Sequence, residues 1–348
     1  MAKSKDCILI IGPAPQNIGG ISIHVRRLIA ILKEDFNFDI VDEGHKRWEG
    51  VFNLRSLNLF KYFKKIRKAD IVHIQSGHFI LRLFHVIICR FLLRKYTIVT
   101  VHRDPNIEGK TAITRWFLKH CNQVIVVNEN GYNALSVIGS KCNYRLLPAY
   151  LPPDIDDEPA LPDEINETIS KIRQDSNAIL MVSNAWKLVR HNNQDLYGLD
   201  LCIDALVKLK HSTKRYYLIF VIADNTDAAQ YVNNYKKTIE INGLTPQVVI
   251  WEGPLSFVRL AQASDIVLRT TNTDGDAISI REALDLDKVV IASDIVKRPE
   301  GVNLFKTRDV DSLATTIEQI SNQDSQSQKH EKTDYRQIYN QIYNKNDK

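Results

Sequence analysis

Two acidic residues and a glycine lie in one short stretch, TNTDGDAISIREAL, at residues 271–284. The stretch follows an apolar, strand-like run, and a helical pattern begins in its middle. The turn Asp274-Gly275-Asp276 lets the backbone approach a ligand, and the first N–H groups of the helix would point toward that ligand. Glu282 could accept hydrogen bonds from two ribose hydroxyls, and Asp274 could hold another hydroxyl. The alternative is an N-cap at Asp274 or Asp276 and a solvated Glu282.

Length and composition limit the class of protein. A chain of 348 residues suits two domains of roughly 100 to 200 residues each. With 44% hydrophobic and 25% charged residues, it can bury a sizeable core. The formal net charge of +5 is below that of a dedicated nucleic-acid binder, but it is compatible with phosphate-rich ligands or anionic lipid headgroups. The five cysteines form no Cys-x-x-Cys pair, which indicates reduced thiols rather than a zinc site or a disulfide framework.

The sequence also bears on location. A few residues, several of them charged, precede the first predicted strand, and no apolar leader is seen there. The longest apolar stretch, 79–93, is interrupted by Arg82, His85 and Arg90 and is shorter than the ~20 residues of a membrane span. We therefore expect a cytoplasmic protein.

Strand-like runs alternate with helical stretches twice along the chain, which predicts an α/β protein with two Rossmann-like, doubly wound domains. The strand candidates are 7–12, 38–43, 70–75, 96–102, 123–128 and 144–150 in the first half, and 178–184, 216–223, 247–253, 265–271 and 288–294 in the second. The proline- and acid-rich segment 151–164 indicates a linker. The predicted parts are an N-terminal domain 1–152, a linker region 153–176, a C-terminal domain 177–330, and a C-terminal helix and tail 331–348. The apolar stripe of that helix should pack back on the N-terminal domain.

In doubly wound sheets, ligands bind beyond the carboxyl ends of the strands, so two such domains should face a central cleft. Gly19 and Gly20 follow the first strand and open a helix that carries His24, and paired glycines admit a phosphate or sugar. This is not the G-x-G-x-x-G fingerprint, and a glycine turn with nothing bound is the alternative. His102, Arg103 and Asp104 end the fourth strand, where a histidine is either functional or only a hydrogen-bonded structural residue.

Together these features resemble the family 4 glycosyltransferases of the GT-B fold, and the resemblance covers most of the chain. It rests on the two domains, the GGIS loop, the strand ending in His102, and an acid-x7-acid motif followed by EALDLDKVVIASD. The family has two glutamates in that motif with a glycine directly after the first. Here Asp274 stands first, Gly275 follows it, and Glu282 stands second.

The resemblance implies retaining transfer of a sugar from a nucleotide diphosphate donor, with a UDP-sugar expected and no metal or other cofactor. Glu282 would hold the ribose and Asp274 the transferred sugar. Backbone amides of Asp276, Ala277 and Ile278 would bind sugar and phosphate, and His102 would contact the sugar near the reacting centre. The N-terminal domain would meet the acceptor, with His24, Arg103 and Asp104 as candidates. The acceptor would be a glycan or a lipid-linked saccharide in polysaccharide or lipopolysaccharide biosynthesis.

The sequence departs from the family in the loop after the first strand of the C-terminal domain, VSNAWKLVRHNNQDLYGLD. The family commonly has an Arg and then a Lys-Gly there to bind the diphosphate. This chain keeps Gly198 but has Tyr197 in the place of the lysine. A diphosphate leaving group still needs positive charge. Lys187 is the first candidate and Arg190 the second, with Asn184 beside them, although both cations could be solvated loop charges.

Two segments rich in basic and aromatic residues, 58–68 and 79–95, occupy helix positions in the N-terminal domain. Burial of an apolar helix face against the sheet is the favoured explanation. The remaining Lys/Arg face could bind lipid phosphates, which would place the protein peripherally on the inner face of the plasma membrane.

Other functions remain as alternatives. A nucleotide-sugar epimerase shares the fold. A catalytically silent nucleotide-sugar-binding protein would explain why the Arg and Lys-Gly that bind the diphosphate in the family are missing here. An NAD-dependent enzyme is disfavoured because neither glycine loop carries the dinucleotide fingerprint. No nucleic-acid partner is expected.

Overall fold

A computed structural model of the chain describes residues 5–17, 19–106, 109–136, 142–224, 226, 229–275, 277–323 and 332–345. Its internal contacts divide the chain into two compact units. Unit 1 consists of Met1–Asp154 with Thr333–Lys348, and unit 2 is Ile155–Lys332. Each unit contains one large sheet of parallel strands flanked by helices, so the prediction of two Rossmann-like folds is confirmed.

Unit 1 contains a seven-stranded parallel sheet. Its strands are β1 Cys7–Gly12, β2 Asn37–Asp42, β3 Phe52–Asn53, β4 Ile71–Ile74, β5 Tyr96–Val101, β6 Gln123–Val126 and β7 Asn143–Leu146. The helices between them are α1 Gly20–Leu32, α2 Leu59–Lys68, α3 Phe79–Val86, α4 Thr111–Leu118 and α5 Glu129–Leu135. A π-helical stretch, Ile87–Leu92, continues α3. The strand order is β3-β2-β1-β4-β5-β6-β7.

The central strands of unit 1 are rich in apolar residues because helices cover both faces of a doubly wound sheet. Ile8, Leu9, Ile10 and Ile11 of β1 are all completely buried. β1 pairs in parallel with β2 on one side and with β4 on the other. The strand order therefore reverses at β1, with β2 and β3 on one side of it and β4 to β7 on the other. This topological switch point is where ligands bind in such sheets.

Unit 2 contains a six-stranded parallel sheet and a small hairpin. The strands are β8 Ala178–Ala185, β9 Arg190–His191, β10 Gln194–Asp195, β11 Arg215–Ile222, β12 Val248–Glu252, β13 Ile266–Arg269, β14 Val289–Ser293 and β15 Val302–Phe305. The helices are α6 Asp163–Ile172, α7 Leu199–Lys208, α8 Ala229–Ile241, α9 Phe257–Ala263, α10 Ile278–Asp285 and α11 Val310–Asn322. The sheet order is β12-β11-β8-β13-β14-β15, which puts the switch point between β8 and β13.

The C-terminal helix α12, Tyr335–Tyr343, belongs to unit 1. Its stripe buries Tyr335, Tyr339, Ile342 and Tyr343. At its amino end, Arg336 forms ion pairs with Asp35 at 2.8 Å and with Glu34 at 2.9 Å. The expectation that this helix packs back on the N-terminal domain is confirmed.

The structure differs from the sequence-based assignment in the linker region and in the shortest strands. The second half of the region 153–176 forms α6, which buries Ile165 and Ile172 in the core of unit 2. The proline-rich pattern that marks the segment ends before that helix begins. β3, β9 and β10 have two residues each, too few to show a periodic pattern. Among the described residues, no helix is long and apolar enough to cross a bilayer.

Candidate functional site

The loops that leave β8 and β13 meet at the switch point of unit 2. The amide of Asn272 donates to the carbonyl oxygen of Leu196 at 3.1 Å, and the hydroxyl of Thr270 donates to that of Tyr197 at 2.7 Å. Gly198 has a left-handed φ of 73°. A Cβ at this position would lie 2.3 Å from the carbonyl oxygen of Thr270. The glycine therefore allows the first loop to lie directly against the end of β13.

The β8 loop forms a hairpin because of its two asparagines. Asn192 and Asn193 have φ values of 50° and 61°, as the two central residues of a type I′ turn require. The hairpin pairs His191 with Gln194 and Arg190 with Asp195. Asp195 is buried and accepts hydrogen bonds from the amides of Tyr197 and Leu199, so it holds the loop at the start of α7. The result is a rigid loop rather than a flexible strap.

The predicted cations of this loop, Lys187 and Arg190, are not brought to the end of β13. The guanidinium of Arg190 lies 5.8 Å from the ring centre of Tyr231 on α8. It lines a cavity of about 250 Å³ with Leu188, Val189, Asp195, Tyr231 and Tyr235. The residue before Lys187, Trp186, accepts through its carbonyl oxygen the amide of Asp224, which follows β11, at 2.7 Å. Both cations therefore lie on the β11 side of the loop. Asn184 is at the end of β8, and its buried Oδ1 accepts no hydrogen bond from a described residue.

Asp274 lies in the β13 loop, and arginines from two strand ends converge on it. Arg269 donates through Nε and Nη2 to the two carboxylate oxygens, both at 2.9 Å. Arg298 donates through Nη1 to Oδ2 at 2.8 Å. The Thr271 hydroxyl at 3.1 Å and the Gly275 amide at 3.0 Å complete the shell. A carboxylate offers about four lone-pair sites, so these five donors fill its capacity.

This shell determines the charge of Asp274. Burial alone would raise the pKa of the carboxyl, but the hydrogen bonds and charges of Arg269 and Arg298 outweigh burial and lower the pKa to about 2. Asp274 is therefore ionised at any ordinary pH. Its predicted contact with the transferred sugar stays a prediction, and it requires that one of the five donors be exchanged for a sugar hydroxyl.

Arg298 connects the loop after β14 to the β13 loop. Its Nε donates to the carbonyl oxygen of Ser293 at 3.1 Å, and its Nη2 donates to the hydroxyl of that serine at 3.2 Å. The Ser293 hydroxyl donates in turn to the carbonyl oxygen of Thr271 at 2.7 Å. Two neighbouring chain segments, 269–275 and 293–298, are thus joined around one carboxylate.

The remaining donor-side residues surround the start of α10. Glu282 lies in the second turn of this helix and is 6% exposed. A Cβ on Gly275 would meet no atom within 4 Å, so the space beside its backbone is open. Ala277 is the N-cap of α10 and makes no side-chain cap, and Ile278 is the first helical residue. Uncapped N–H groups at a helix start favour an anion. Asp276 lies outside the described residues.

In unit 1, the glycine loop after β1 has the openness expected of a binding loop. Gly19 and Gly20 open α1, and a Cβ on either would meet no atom within 4 Å. His24 lies one turn into the helix, where its Nδ1 donates to the carbonyl oxygen of Ala149 at 2.8 Å. Burial lowers the pKa of His24 to about 4, so its imidazole is neutral at pH 7.

His102 follows β5 and belongs to a buried polar row. Its Nε2 lies 2.7 Å from Gln75 Oε1, and Gln75 Nε2 lies 3.1 Å from His73 Nε2. His73 also contacts the Thr100 hydroxyl at 2.8 Å and the Tyr343 hydroxyl at 2.7 Å. The row assigns the protons, since the Thr100 hydroxyl and the Gln75 amide both donate to His73 Nε2. His73 Nδ1 then donates to Tyr343, and His102 Nε2 donates to Gln75.

The tautomer of His102 leaves its Nδ1 as an acceptor for a ligand hydroxyl. Burial, followed by the charges of neighbouring His24 and His73, holds the pKa of His102 well below its usual value. His102 is therefore a neutral hydrogen-bonding group rather than a cation at pH 7. Of its neighbours in sequence, Arg103 is exposed, and Asp104 accepts the amide of Asn106 at 2.8 Å in a local turn.

Sequence reasoning missed Arg269, Arg298 and the row from Gln75 to Tyr343. Arg269 does leave a signal, because a charge within the apolar strand DIVLRTT needs a partner when it is buried. Arg298 lies in a polar loop, and nothing local distinguishes it from a solvated arginine. In the described part of the chain, no cluster of three or more His, Cys, Asp or Glu side chains could hold a metal ion.

No family model matches the chain, and no curated protein sequence matches it. Solved structures do match over most of its length. A glycosyltransferase from Rickettsia africae is 18% identical, with a TM-score of 0.62 over 92% of this chain and 90% of the other. HepE of Anabaena, solved in complex with UDP, is 18% identical with a TM-score of 0.60 over 92% and 91%. WaaG, a glycosyltransferase involved in lipopolysaccharide biosynthesis, is 13% identical with a TM-score of 0.50 over 91% and 90%. The chain therefore has the GT-B fold.

Proposed function

We propose that the protein is a retaining glycosyltransferase of the family 4 type, which moves a sugar from a nucleoside diphosphate donor, expected to be a UDP-sugar, to a saccharide or lipid-linked saccharide. The observation that carries the proposal is the β13 loop of unit 2. There an acid-x7-acid motif, an open glycine and an uncapped helix start lie beside a pair of arginines at the switch point. A fold like that of HepE, which binds UDP, supports the same assignment.

Each group has a task in such a transfer. The leaving diphosphate gains negative charge as the glycosidic bond breaks, and fixed dipoles and cations stabilise that charge most effectively. The α10 amides and cations of the protein would supply this stabilisation, so we expect no metal requirement. Glu282 would accept the ribose hydroxyls through charge-assisted bonds. His102, neutral and with Nδ1 available, would accept a sugar hydroxyl.

The test is release of nucleoside diphosphate from UDP-, GDP- and ADP-sugars, with and without a crude lipid-linked acceptor. We expect acceptor-stimulated release from one donor, and loss of that release in Glu282→Ala. Glu318→Ala is the matched control because Glu318 is exposed on α11. Saturable binding without turnover of any donor would refute the transferase.

A silent nucleotide-sugar-binding protein is the second candidate. Two observations favour it, namely Tyr197 in the place of the usual lysine and the fully engaged carboxylate of Asp274. It predicts nucleotide binding with no product. An epimerase would instead convert the donor into an isomeric nucleotide sugar without any acceptor, so chromatography of the nucleotide sugars in the same reactions separates the three.

We further propose that unit 1 binds an anionic bilayer, which would keep the protein peripherally on the inner face of the plasma membrane, near a lipid-linked acceptor. Large apolar side chains are exposed just before α2 and on it, on α3 with its π-helical continuation, and on α4. They are Leu57, Leu59, Phe60, Ile80, Phe84, Ile87, Phe91, Leu92, Ile113 and Trp116. Ring contacts connect these elements, since Phe84 stacks on Tyr62 and Phe91 stacks on Trp116. We call this set the apolar surface.

Charge favours a lipid as the occupant of the apolar surface. Residues 55–95 contain ten Lys and Arg but one acid, Asp70, whereas the whole chain has a net charge of only +5. Apolar groups with surrounding cations suit an anionic membrane interface. The test is cosedimentation with phosphatidylglycerol vesicles, with phosphatidylcholine vesicles as reference. Phe60→Ser and Trp116→Ser should reduce binding, and Ile241→Ser, at a residue 84% exposed in unit 2, should not. Equal binding to both vesicles, or none, would refute this proposal.

A further inference from the structure

The β8 loop lacks a cation where the resemblance requires one. Tyr197 stands at that position, and its side chain cannot neutralise a phosphate. Of the two cations of the loop, Lys187 follows Trp186, which bonds to Asp224 at the end of β11, and Arg190 lies over Tyr231 on α8. The donor would therefore need its positive charge from another chain segment.

Arg269 lies beside Tyr197, the position where the family has its lysine. Tyr197 is held against the end of β13 by the hydrogen bond from Thr270 and by the close approach of Gly198. The guanidinium carbon of Arg269 lies 5.4 Å from the centre of the Tyr197 ring, which is within cation–π distance. The ring supports one face of the guanidinium, and Asp274 holds one edge.

We propose that Arg269 binds the diphosphate of the donor, supplying from β13 the cation that position 197 lacks, with Asp274 and Tyr197 as its positioning residues. This inference rests on the proposed function, and it names the phosphate-binding residue of the same site. It also accounts for Tyr197, because an aromatic ring can support a neighbouring arginine whereas a lysine would repel it.

The charges and free donors of the two arginines distinguish their roles. Two guanidinium groups share one carboxylate, so the group of three keeps one net positive charge. All the bonding nitrogens of Arg298 are engaged with Asp274, Ser293 and Thr271, and its side chain is 2% exposed. Arg269 is 15% exposed, and its Nη1 donates to no described residue. Arg269 can thus offer a donor to a phosphate without releasing Asp274, and Arg298 serves as a positioning residue.

The experiment is isothermal titration of the full chain with UDP, uridine and inorganic pyrophosphate, preceded by titration of the wild type with UDP, GDP and ADP; if GDP or ADP binds in place of UDP, that nucleotide and its nucleoside replace UDP and uridine. Arg269→Gln should lower the affinity for UDP and for pyrophosphate by about ten- to a hundredfold, which corresponds to the loss of one charge-assisted hydrogen bond. Uridine affinity should stay within about twofold, because uridine has no phosphate. Arg215→Gln is the matched control, since Arg215 is an exposed arginine at the amino end of β11 in the same unit. A UDP affinity of Arg269→Gln within about twofold of wild type would overturn the proposal.

A second variant tests the replacement itself. In the Arg269→Gln background, Tyr197→Lys restores a cation at the position where the resemblance places one, and it should recover at least about a fifth of the UDP affinity. If the double variant unfolds at the wild-type temperature but recovers no UDP affinity, the claim that Arg269 replaces the cation missing at position 197 is overturned. Pyrophosphate separates the two levels of inference. If no nucleoside diphosphate binds the wild type, the proposed function fails, and a pyrophosphate affinity that still depends on Arg269 supports the inference alone.

Discussion

The hydroxyl of Tyr343 lies 2.7 Å from Nδ1 of His73, across 270 residues of sequence. It connects the last helix of the chain to the buried row that continues through Gln75 to His102. Since His73 Nε2 accepts hydrogen bonds from two donors, its proton must be on Nδ1, and Tyr343 is the acceptor of that proton. The C-terminal helix therefore supplies the acceptor for the Nδ1–H of a buried histidine in the sheet of unit 1.

Tyr343→Phe should destabilise the protein by about 1 to 3 kcal/mol, because it leaves the Nδ1–H of His73 buried without an acceptor. Tyr339→Phe is the matched control on the same helix. The hydroxyl of Tyr339 is buried and has no hydrogen-bond partner among the described residues, so its loss should be neutral or stabilising. Urea unfolding of both variants measures the difference. Equal effects would show that the bond to His73 contributes nothing.

Gly198→Ala should disrupt the contact between the β8 and β13 loops. The new methyl group would lie 2.3 Å from the Thr270 carbonyl oxygen, in addition to the cost of a left-handed φ. Gly243→Ala isolates the second effect, because Gly243 has a φ of 59° and a Cβ there would meet no atom within 4 Å. We expect Gly243→Ala to cost about 1 to 2 kcal/mol, the cost of a left-handed conformation for a residue with a Cβ. Gly198→Ala should lower the free energy of unfolding by clearly more, as measured by urea unfolding. It should also lower the affinity for UDP, as measured by titration.

Asp274→Asn should cost about 3 to 5 kcal/mol of unfolding free energy, because two buried guanidinium groups lose their anion. The pKa of Asp274 is lowered to about 2, below its ordinary value, so its contribution to stability is complete above about pH 4. The contribution should diminish as the pH falls from about 4 to 2, and the wild type should there approach the variant. Asp200→Asn breaks a half-exposed ion pair with Arg308 and should cost about 1 kcal/mol or less. A pH-independent difference between wild type and Asp274→Asn would contradict the assignment.

The buried histidines should make the protein less stable in weak acid. Burial lowers the pKa of His24 to about 4 and that of His73 to about 3, whereas an unfolded histidine titrates near pH 6.5. Between these values the unfolded chain binds more protons, so the unfolding free energy should fall with decreasing pH from about 6.5 to 4. The slope per histidine is at most about 1.4 kcal/mol per pH unit. His24→Gln should reduce the slope, and His211→Gln, at an exposed position, should leave it unchanged.

Much of the fold follows from the sequence because strands buried on both faces are continuous apolar runs. Ten of the eleven longer parallel strands of β1 to β14 lie within about two residues of such runs, and β7 ends four residues before the end of its run. The two-residue strands, β15 and helix α6 lack that signal. The apolar stripe of α12 likewise predicted its burial, because an apolar helix face is stable only when it packs against another apolar surface.

The site was predictable where one local pattern carries it, as with Gly275 and Glu282, but not where partners are distant in sequence. Arg298 is 24 residues from Asp274, and Tyr343 is 270 residues from His73. The direction of Arg190 away from the end of β13 was equally inaccessible, because the Asn192-Asn193 turn and its hairpin determine it. These relations arise from tertiary packing, and no spacing in the chain encodes them.

Hydrogen–deuterium exchange of the full chain with UDP, GDP and ADP tests the central claim, that a nucleoside diphosphate binds at the switch point of unit 2. We predict that one nucleotide slows exchange in peptides covering 184–198 and 270–286, and that Glu282→Ala abolishes the protection. Protection confined to other peptides, such as those of the glycine loop at 13–24, or no protection by any nucleotide at saturating concentration, would contradict the account.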